Sequence, residues 1–299
     1  MNLRELEYLV ALEKERHFNR AAQRCFVSQP TLSGQLKKLE QSLGVQLVER
    51  HTRQVLMTDA GLAVAKQARK VLMAAKEIRD IAESFHDIMA GELQMGLIPT
   101  IAPYLLPQVI SDLGQHFPHL KLWLHEYQTA TLLDMLKHGE LDLVIQALPI
   151  DRHDFCEVTL FSEPFYLALH RDHPLAQQAQ VSLDQLQGKD LLLLQAGHCL
   201  REHVLDVCLL AGALENQHFH ATSLETLRHM VGEGMGMTLM PEMAIPLQSE
   251  RRDNIVYLPF VEPKPMRRIG MLYRKGSYRQ PAFEQLAELI QQQKGRVAT

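Results

Sequence analysis

Apolar residues recur along the first sixty positions with a period close to that of an α-helix. Leu3, Leu6, Leu9, Val10 and Ala11 predict an amphipathic helix over residues 3–15. A short helix is expected from about Phe18 to Cys25, where Ala21 and Ala22 permit close helix contact. In SQPTLSGQLKKLEQSLGVQLVER, residues 28–50, Leu32, Leu36, Leu39 and Leu43 recur at intervals of 4, 3 and 4 and predict a buried stripe. Ser28 suits an N-cap, and Pro30 falls in the first turn, where its missing N–H costs nothing. Gly44 is expected to end this helix, and residues 45–58 predict a short hairpin, or wing, carrying Arg50, His51 and Arg53. Thr58 and Asp59 then cap a long helix reaching Met89, whose Val64, Ala68, Val71, Ala75, Ile78, Ala82, Phe85 and Met89 alternate at spacings of 4 and 3. Such a heptad seam predicts dimerisation, whereas a helix lying on its own body needs a broader apolar stripe.

Beyond residue 90 the pattern changes to strands alternating with helices. Strands are expected at 92–98, 120–126 and 141–148, separated by helices at about 103–116 and 130–138. Leu191–Leu194, Met237–Met240 and Ile255–Leu258 continue a second, similar unit; Ile269–Tyr273 returns to the first, and a final helix covers about 281–293. This alternation predicts a mostly parallel sheet with helices on its faces, and ligands gather at the carboxyl ends of such strands, where Thr100 and Thr129 would lie. The domains expected are therefore 1–58, an all-α head with a wing; 59–89, the linking helix; and 90–299, an α/β body.

Charge sharpens the division. Residues 1–90 hold 14 Lys and Arg against 11 Asp and Glu, while the rest holds 17 against 24. Within 16–53, Arg16, Arg20, Arg24, Lys37, Lys38, Arg50 and Arg53 face only Glu40 and Glu49. A basic head on an acidic body suits a polyanion reader. The helix face opposite the leucine stripe carries Pro30, Thr31, Gly34, Lys37 and Lys38, with compact side chains to reach base edges and then cations for phosphates. The head reads as a helix–turn–helix that binds double-stranded promoter DNA through Gln29, Pro30, Thr31, Ser33, Lys37, Lys38, Arg50 and Arg53; the competing reading is a three-helix structural module.

Arg4, Glu5 and Glu7 break any signal-peptide core, and no apolar run approaches the ~18 residues of a membrane span, so a cytoplasmic location away from membranes is expected. In that compartment Cys25, Cys156, Cys199 and Cys208 do not form a structural disulfide framework. Cys25 and Cys156 read as structural. Cys199 falls near a helix start, with His198 beside it and Arg201 two residues on, which favours a thiolate; Cys208 lies in the apolar run 207–210, which predicts a buried, protonated thiol. If one helix joins them, nine residues separate the sulfurs by about 13.5 Å along its axis and place them on opposite faces. A 199–208 disulfide then requires that helix to unwind. The competing reading is two ordinary core cysteines. His198, Cys199, His203, Cys208, His218 and His220 lack zinc-ligand spacing, and no metal or other cofactor is expected. No phosphate loop, HExxH or catalytic carboxylate pair is present, so an enzyme is not expected.

The stretch FNRAAQRCFVSQPTLSGQLKKLEQSLGVQLVER resembles the LysR-type transcriptional regulators, and the resemblance runs through the whole chain. GLIPT (96–100), PYLLP (103–107), HEYQT (125–129), GHCLR (197–201) and ATSLETLR (221–228) narrow it to the peroxide-sensing OxyR branch. The resemblance implies a winged helix–turn–helix, a linker helix and two Rossmann-like subdomains arranged as in periplasmic binding proteins, in a homodimer or homotetramer. It implies that hydrogen peroxide oxidises Cys199 to a sulfenic acid, that Cys208 resolves it to a disulfide, and that Thr100, Thr129, His198, Cys199 and Arg267 bind the peroxide. Arg268 competes with Arg267 for that place, and Thr100 and Thr129 alternatively cap the helices that follow them. RNA polymerase and a reductant such as glutaredoxin or thioredoxin are the further implied partners. Two rival functions remain: a LysR-type regulator binding a small metabolite in the same cleft, and a thiol peroxidase or disulfide oxidoreductase.

Overall fold

The computed structural model describes residues 1–50, 55–84, 89–150, 153–246 and 254–297. They form two compact units, Met1–His86 and Asp87–Thr299. The first contains helices α1 (Leu3–Glu15), α2 (Phe18–Arg24) and α3 (Gln29–Leu43), strands β1 (Val48–Arg50) and β2 (Val55–Met57), and helix α4 (Asp59–Ser84). The predicted stripes build its core, in which Leu6, Leu9, Leu12, Leu32, Leu36, Leu39 and Leu47 are buried together. Each such leucine contributes roughly 1.5–3 kcal/mol relative to exposure. Leu43 departs from the expectation at 38% exposed, because Gly44 takes a left-handed φ of 68° and ends α3 there, at the rim of the core. The antiparallel ribbon β1–β2 forms the wing. Glu40 anchors it to α3 by accepting from Leu47 N (2.9 Å) and Val48 N (3.1 Å). A Cβ at Gly61 would come 2.0 Å from the Leu47 carbonyl oxygen, so α4 approaches the wing this closely only with glycine.

The heptad seam divides into parts with different fates. Val64 and Ala68 pack into the first unit's own core. Val71 and Ile78 are exposed, Ile78 at 69%, with Ile81 exposed beside them. Phe85 lies outside the described residues. Met89 is not a seam residue: it lies beyond the end of α4, buried in the second unit, where it lines a small cavity with Leu93, Leu120, Phe283 and Leu286. Its 4,3 spacing coincides with the heptad, but its burial in the second unit fixes its place.

The second unit comprises β3 (Gly91–Leu97), α5 (Ala102–His116), β4 (Leu120–Glu126), α6 (Thr129–Lys137), β5 (Leu143–Leu148), β6 (Phe155–His170), β7 (Asp190–Leu194), α7 (Cys199–Ala211), β8 (Leu214–Ala221), α8 (Leu224–Gly232), β9 (Thr238–Pro241), β10 (Ile255–Pro259), β11 (Met266–Arg274) and α9 (Gln280–Val297). Its main sheet runs β10-β6-β11-β5-β3-β4, with β9 also on β6. The sheet is mixed rather than mostly parallel. Among the described residues, parallel strand pairing joins β3 with β4 and β5, and β7 with β8, with isolated parallel bridges at Val181–Phe260 and Leu191–Met237, while β6 and β11 pair antiparallel with their neighbours. The antiparallel character comes from the chain crossing and recrossing between two cores. One core gathers Phe155 and Leu160 of β6 with β3, β5, α5, α6 and α9; the other gathers Phe165, Leu167 and Leu169 of β6 with β7, α7 and α8.

We predict that Ile78→Glu lowers the oligomer mass in sedimentation velocity, since a seam left exposed by its own unit is expected to be covered by a second copy. An unchanged mass would assign the seam no role in assembly.

Candidate functional site

Pro164 marks the point where β6 leaves β11 and begins to pair with β9 and β10, so its missing N–H interrupts no ladder. Next to it, at the junction of the two cores, Glu163 stands opposite Arg267 of β11. The two side chains are 1% and 0% exposed. Arg267 donates from Nε to Glu163 Oε1 (2.8 Å), from Nη1 to Thr100 Oγ1 (3.2 Å) and from Nη2 to the Thr100 carbonyl (3.0 Å). Glu163 Oε2 accepts from Met243 N (2.9 Å). The neighbouring Arg268 is exposed. Glu163 was not foreseen; its partner lies 104 residues away in sequence, and only the fold joins them.

Thr100 and Thr129 lie just beyond the carboxyl ends of β3 and β4, and Cys199 follows β7 in the same manner. Neither threonine caps a helix. The N-caps of α5 and α6 are Ile101 and Gln128. Thr100 is committed to Arg267, and Thr129 Oγ1 is buried with no hydrogen bond of good geometry among the described residues. Close to the Thr129 hydroxyl lies the Cys199 thiol, next to the main chain of Ala147 and Leu200 and within the field of Arg267. Gly197, at φ 99°, lets the chain pass Gln128, whose side-chain oxygen would sit 2.5 Å from a Cβ there. Thus the starts of α6 and α7 meet, bringing Thr100, Thr129, Cys199 and Arg267 into one site, with buried His198 as the N-cap residue of α7.

The electrostatics differ from the expectation of a ready thiolate. Burial pushes the Cys199 thiol up from its ordinary value; the Arg267 charge, the Thr129 hydroxyl and the nearby backbone pull it down without overcoming desolvation. Arg201 is not the activating cation. It forms a bidentate pair with Glu215 of β8 (2.5 and 2.8 Å) and donates to the Leu194 carbonyl (3.2 Å). His220 Nε2 also meets Glu215 Oε1 at 2.9 Å. Burial likewise pushes the His198 imidazole down. At neutral pH the site holds a thiol and a neutral His198 beside one fixed guanidinium.

Cys208 lies on the same unbroken helix, α7, but in the other core. It is 4% exposed, and burial followed by the Glu215 charge pushes its thiol up to about 11. Leu209 and Leu210 of the same apolar run are exposed. Cys199 packs against the first core and Cys208 within the second, and both are free thiols. Cys25 and Cys156 are half-buried against their cores, as structural cysteines would be. His218 and His220 are exposed on β8, and no cluster among the described residues has the makings of a metal site.

In the first unit, Ser28 caps α3 by accepting from Thr31 N (3.4 Å). Pro30, Thr31, Lys37 and Lys38 are exposed, with Gln29 and Ser33 half-buried beside them. Of the predicted wing contacts, Arg53 lies outside the described residues, and for Arg50 only its place in β1 is described. No helix among the described residues is long and apolar enough to cross a membrane.

Residues 3–62 match the bacterial regulatory helix-turn-helix proteins of the lysR family, and residues 86–295 match the LysR substrate binding domain. The chain belongs to the LysR family. Its first unit is the family's DNA-binding domain, its second the effector domain, and its place is in the OxyR branch. It is 52% identical to the DNA-binding transcriptional dual regulator OxyR of Escherichia coli (strain K12), covering 97% of this chain and 95% of that one. A full-length OxyR variant from Pseudomonas aeruginosa superimposes with a TM-score of 0.76 at 40% identity, covering 97% and 94%. The oxidized form of OxyR matches with a TM-score of 0.64 at 50% identity, over 69% of this chain and 97% of that one.

Glu163→Ala should leave Arg267 charged and unpaired in the protein interior, lowering the unfolding free energy by about 3–5 kcal/mol. Denaturant titration of the full chain measures this, and a loss below about 1 kcal/mol would show that the pair does not hold the junction.

Proposed function

We propose that this LysR-family chain is a peroxide-responsive transcriptional regulator rather than an enzyme, with its switch in α7. Hydrogen peroxide enters the site of Thr100, Thr129, His198, Cys199 and Arg267. The Cys199 sulfur attacks one peroxide oxygen, the O–O bond breaks, and a sulfenic acid and water result. The Cys208 thiol then attacks the Cys199 sulfur, its proton passing to the sulfenic oxygen, which leaves as water as the disulfide closes. The observation that carries this reading is the placement of the two thiols: one helix holds them nine residues apart, or about 13.5 Å of rise, and in separate cores. A disulfide needs Cα atoms within about 7 Å, so the bond and the intact helix exclude each other. Oxidation therefore selects a second fold of the 199–208 segment, which a reductant such as glutaredoxin or thioredoxin reverses.

The relatives support this assignment: curated proteins from Dickeya chrysanthemi and Haemophilus influenzae, 50% and 47% identical, are described as hydrogen peroxide-inducible genes activators. The readout is binding of promoter DNA by the exposed α3 face and wing, by a homodimer or homotetramer acting on RNA polymerase in the cytoplasm. In this arrangement Arg267 orients the peroxide and stabilises the departing hydroxide, an electrostatic role.

Brief peroxide treatment followed by peptide mapping should join the fragments bearing Cys199 and Cys208, and Cys199→Ser should abolish both that link and promoter activation. An undiminished response in Cys199→Ser would reject thiol sensing in favour of a metabolite-binding regulator. Promoter affinity should fall steeply with salt, and Lys37→Ala should lower the slope of log affinity against log salt by about one per subunit contact. A flat salt response in the parent protein would remove the head from DNA reading.

A further inference from the structure

We propose that His203 is the proton acceptor for Cys199. As sulfur attacks the peroxide, His203 Nδ1 takes the thiol proton across one water and passes it to the departing hydroxide. The inference rests on the peroxide-reactive reading of the site given above.

His203 lies four residues after Cys199 on α7, the spacing that puts two side chains on one helix face about 5–6 Å apart at Cβ. Helical side chains lean toward the N-terminus, which directs His203 toward the turn that carries Cys199. The buried apolar face of α7 is formed by Leu200, Val204, Val207, Cys208 and Ala211, leaving Cys199 and His203 together on its flank. His203 Nδ1 is buried and has no hydrogen-bond partner among the described residues. A buried ring nitrogen without a partner costs free energy unless it serves something else.

The charges around the ring suit the role. Burial, then the Arg267 charge from β11, pushes His203 down from its ordinary value; Asp206 and Glu202 of α7 oppose this without prevailing. The ring is therefore neutral at pH 7, with one nitrogen able to accept. Such a partner is needed, because Cys199 is itself held as a thiol. The step balances. An S–O bond forms and the O–O bond breaks; Cys199 is oxidised to the sulfenic acid and peroxide is reduced to water. The proton moves from Sγ to Nδ1 to the leaving oxygen, so His203 ends neutral.

The test uses the full chain with Cys208→Ser, so that the sulfenic acid persists, and follows dimedone labelling at Cys199 by peptide mass from about pH 5.5 to 9. With His203 in place, the rate should fall in acid as the ring protonates and level off around neutrality. In His203→Gln it should drop at least about tenfold at pH 7. There it should instead climb about tenfold per pH unit, following the thiolate fraction. A variant within about twofold of the parent, with a superimposable pH profile, overturns the proposal. Should His203→Gln fail to fold, the parent decides alone: labelling slower in D2O supports proton transfer in the rate-limiting step, and equal rates overturn it. Absence of label at Cys199 in the folded parent overturns the peroxide reading itself, an outcome distinct from labelling that ignores His203.

Discussion

A buried guanidinium is the constraint around which the effector domain is organised. Arg267 cannot give up its proton, so the fold must either solvate it or pair it, and it pairs it with Glu163 and with both oxygens of Thr100. That choice fixes three chain segments at the point where β6 passes from one core to the other. It also sets a permanent positive charge beside the Cys199 thiol. Were that cation exposed, solvent would screen it; buried, it acts on the thiol, on His203 and on any polar molecule entering between them.

Helix α7 answers to both cores at once. Leu200, Val204 and Val207 commit it to the second core, Cys199 touches the first, and Arg201 with Glu215 secures its opening turn to β8. The interactions that hold α7 are those of an ordinary stable helix, including a left-handed Gly212 at its end. The proposed covalent closure between its cysteines would oppose all of them together, which is what makes two discrete states of the segment a physical expectation rather than a graded distortion.

Legibility in the sequence follows the range of the interactions. Helices set by local periodicity, such as Leu3–Glu15 and Gln29–Leu43, were readable to the residue, as was the Ser28 cap. The 16-residue strand β6 was not, because Glu163 and Pro164 interrupt its apolar pattern; both are functions of the junction between cores. Met89 mimicked a heptad position since spacing alone does not reveal which core a residue enters. The proposed members of the site come from family resemblance, and only the fold shows Arg267 buried while Arg268 is exposed. The direction of the Cys199 shift is hidden for the same reason: adjacent charges are visible in sequence, whereas desolvation is a property of the fold.

That raised thiol carries a consequence for how a sensor differs from a peroxidase. A thiolate stabilised outright would react with many electrophiles, since nucleophilicity follows thiolate character and access. Here burial holds the thiol protonated, and on the proposed reading its reactivity depends on neighbours that act only when a peroxide lies between them: Arg267 to receive charge on the departing oxygen and Thr129 to orient the attack. Reactivity is thus conditional on the ligand. On that reading, selectivity for peroxide and silence in its absence would arise from one arrangement, in which desolvation suppresses the ground-state thiolate and preorganised dipoles favour only the transition state.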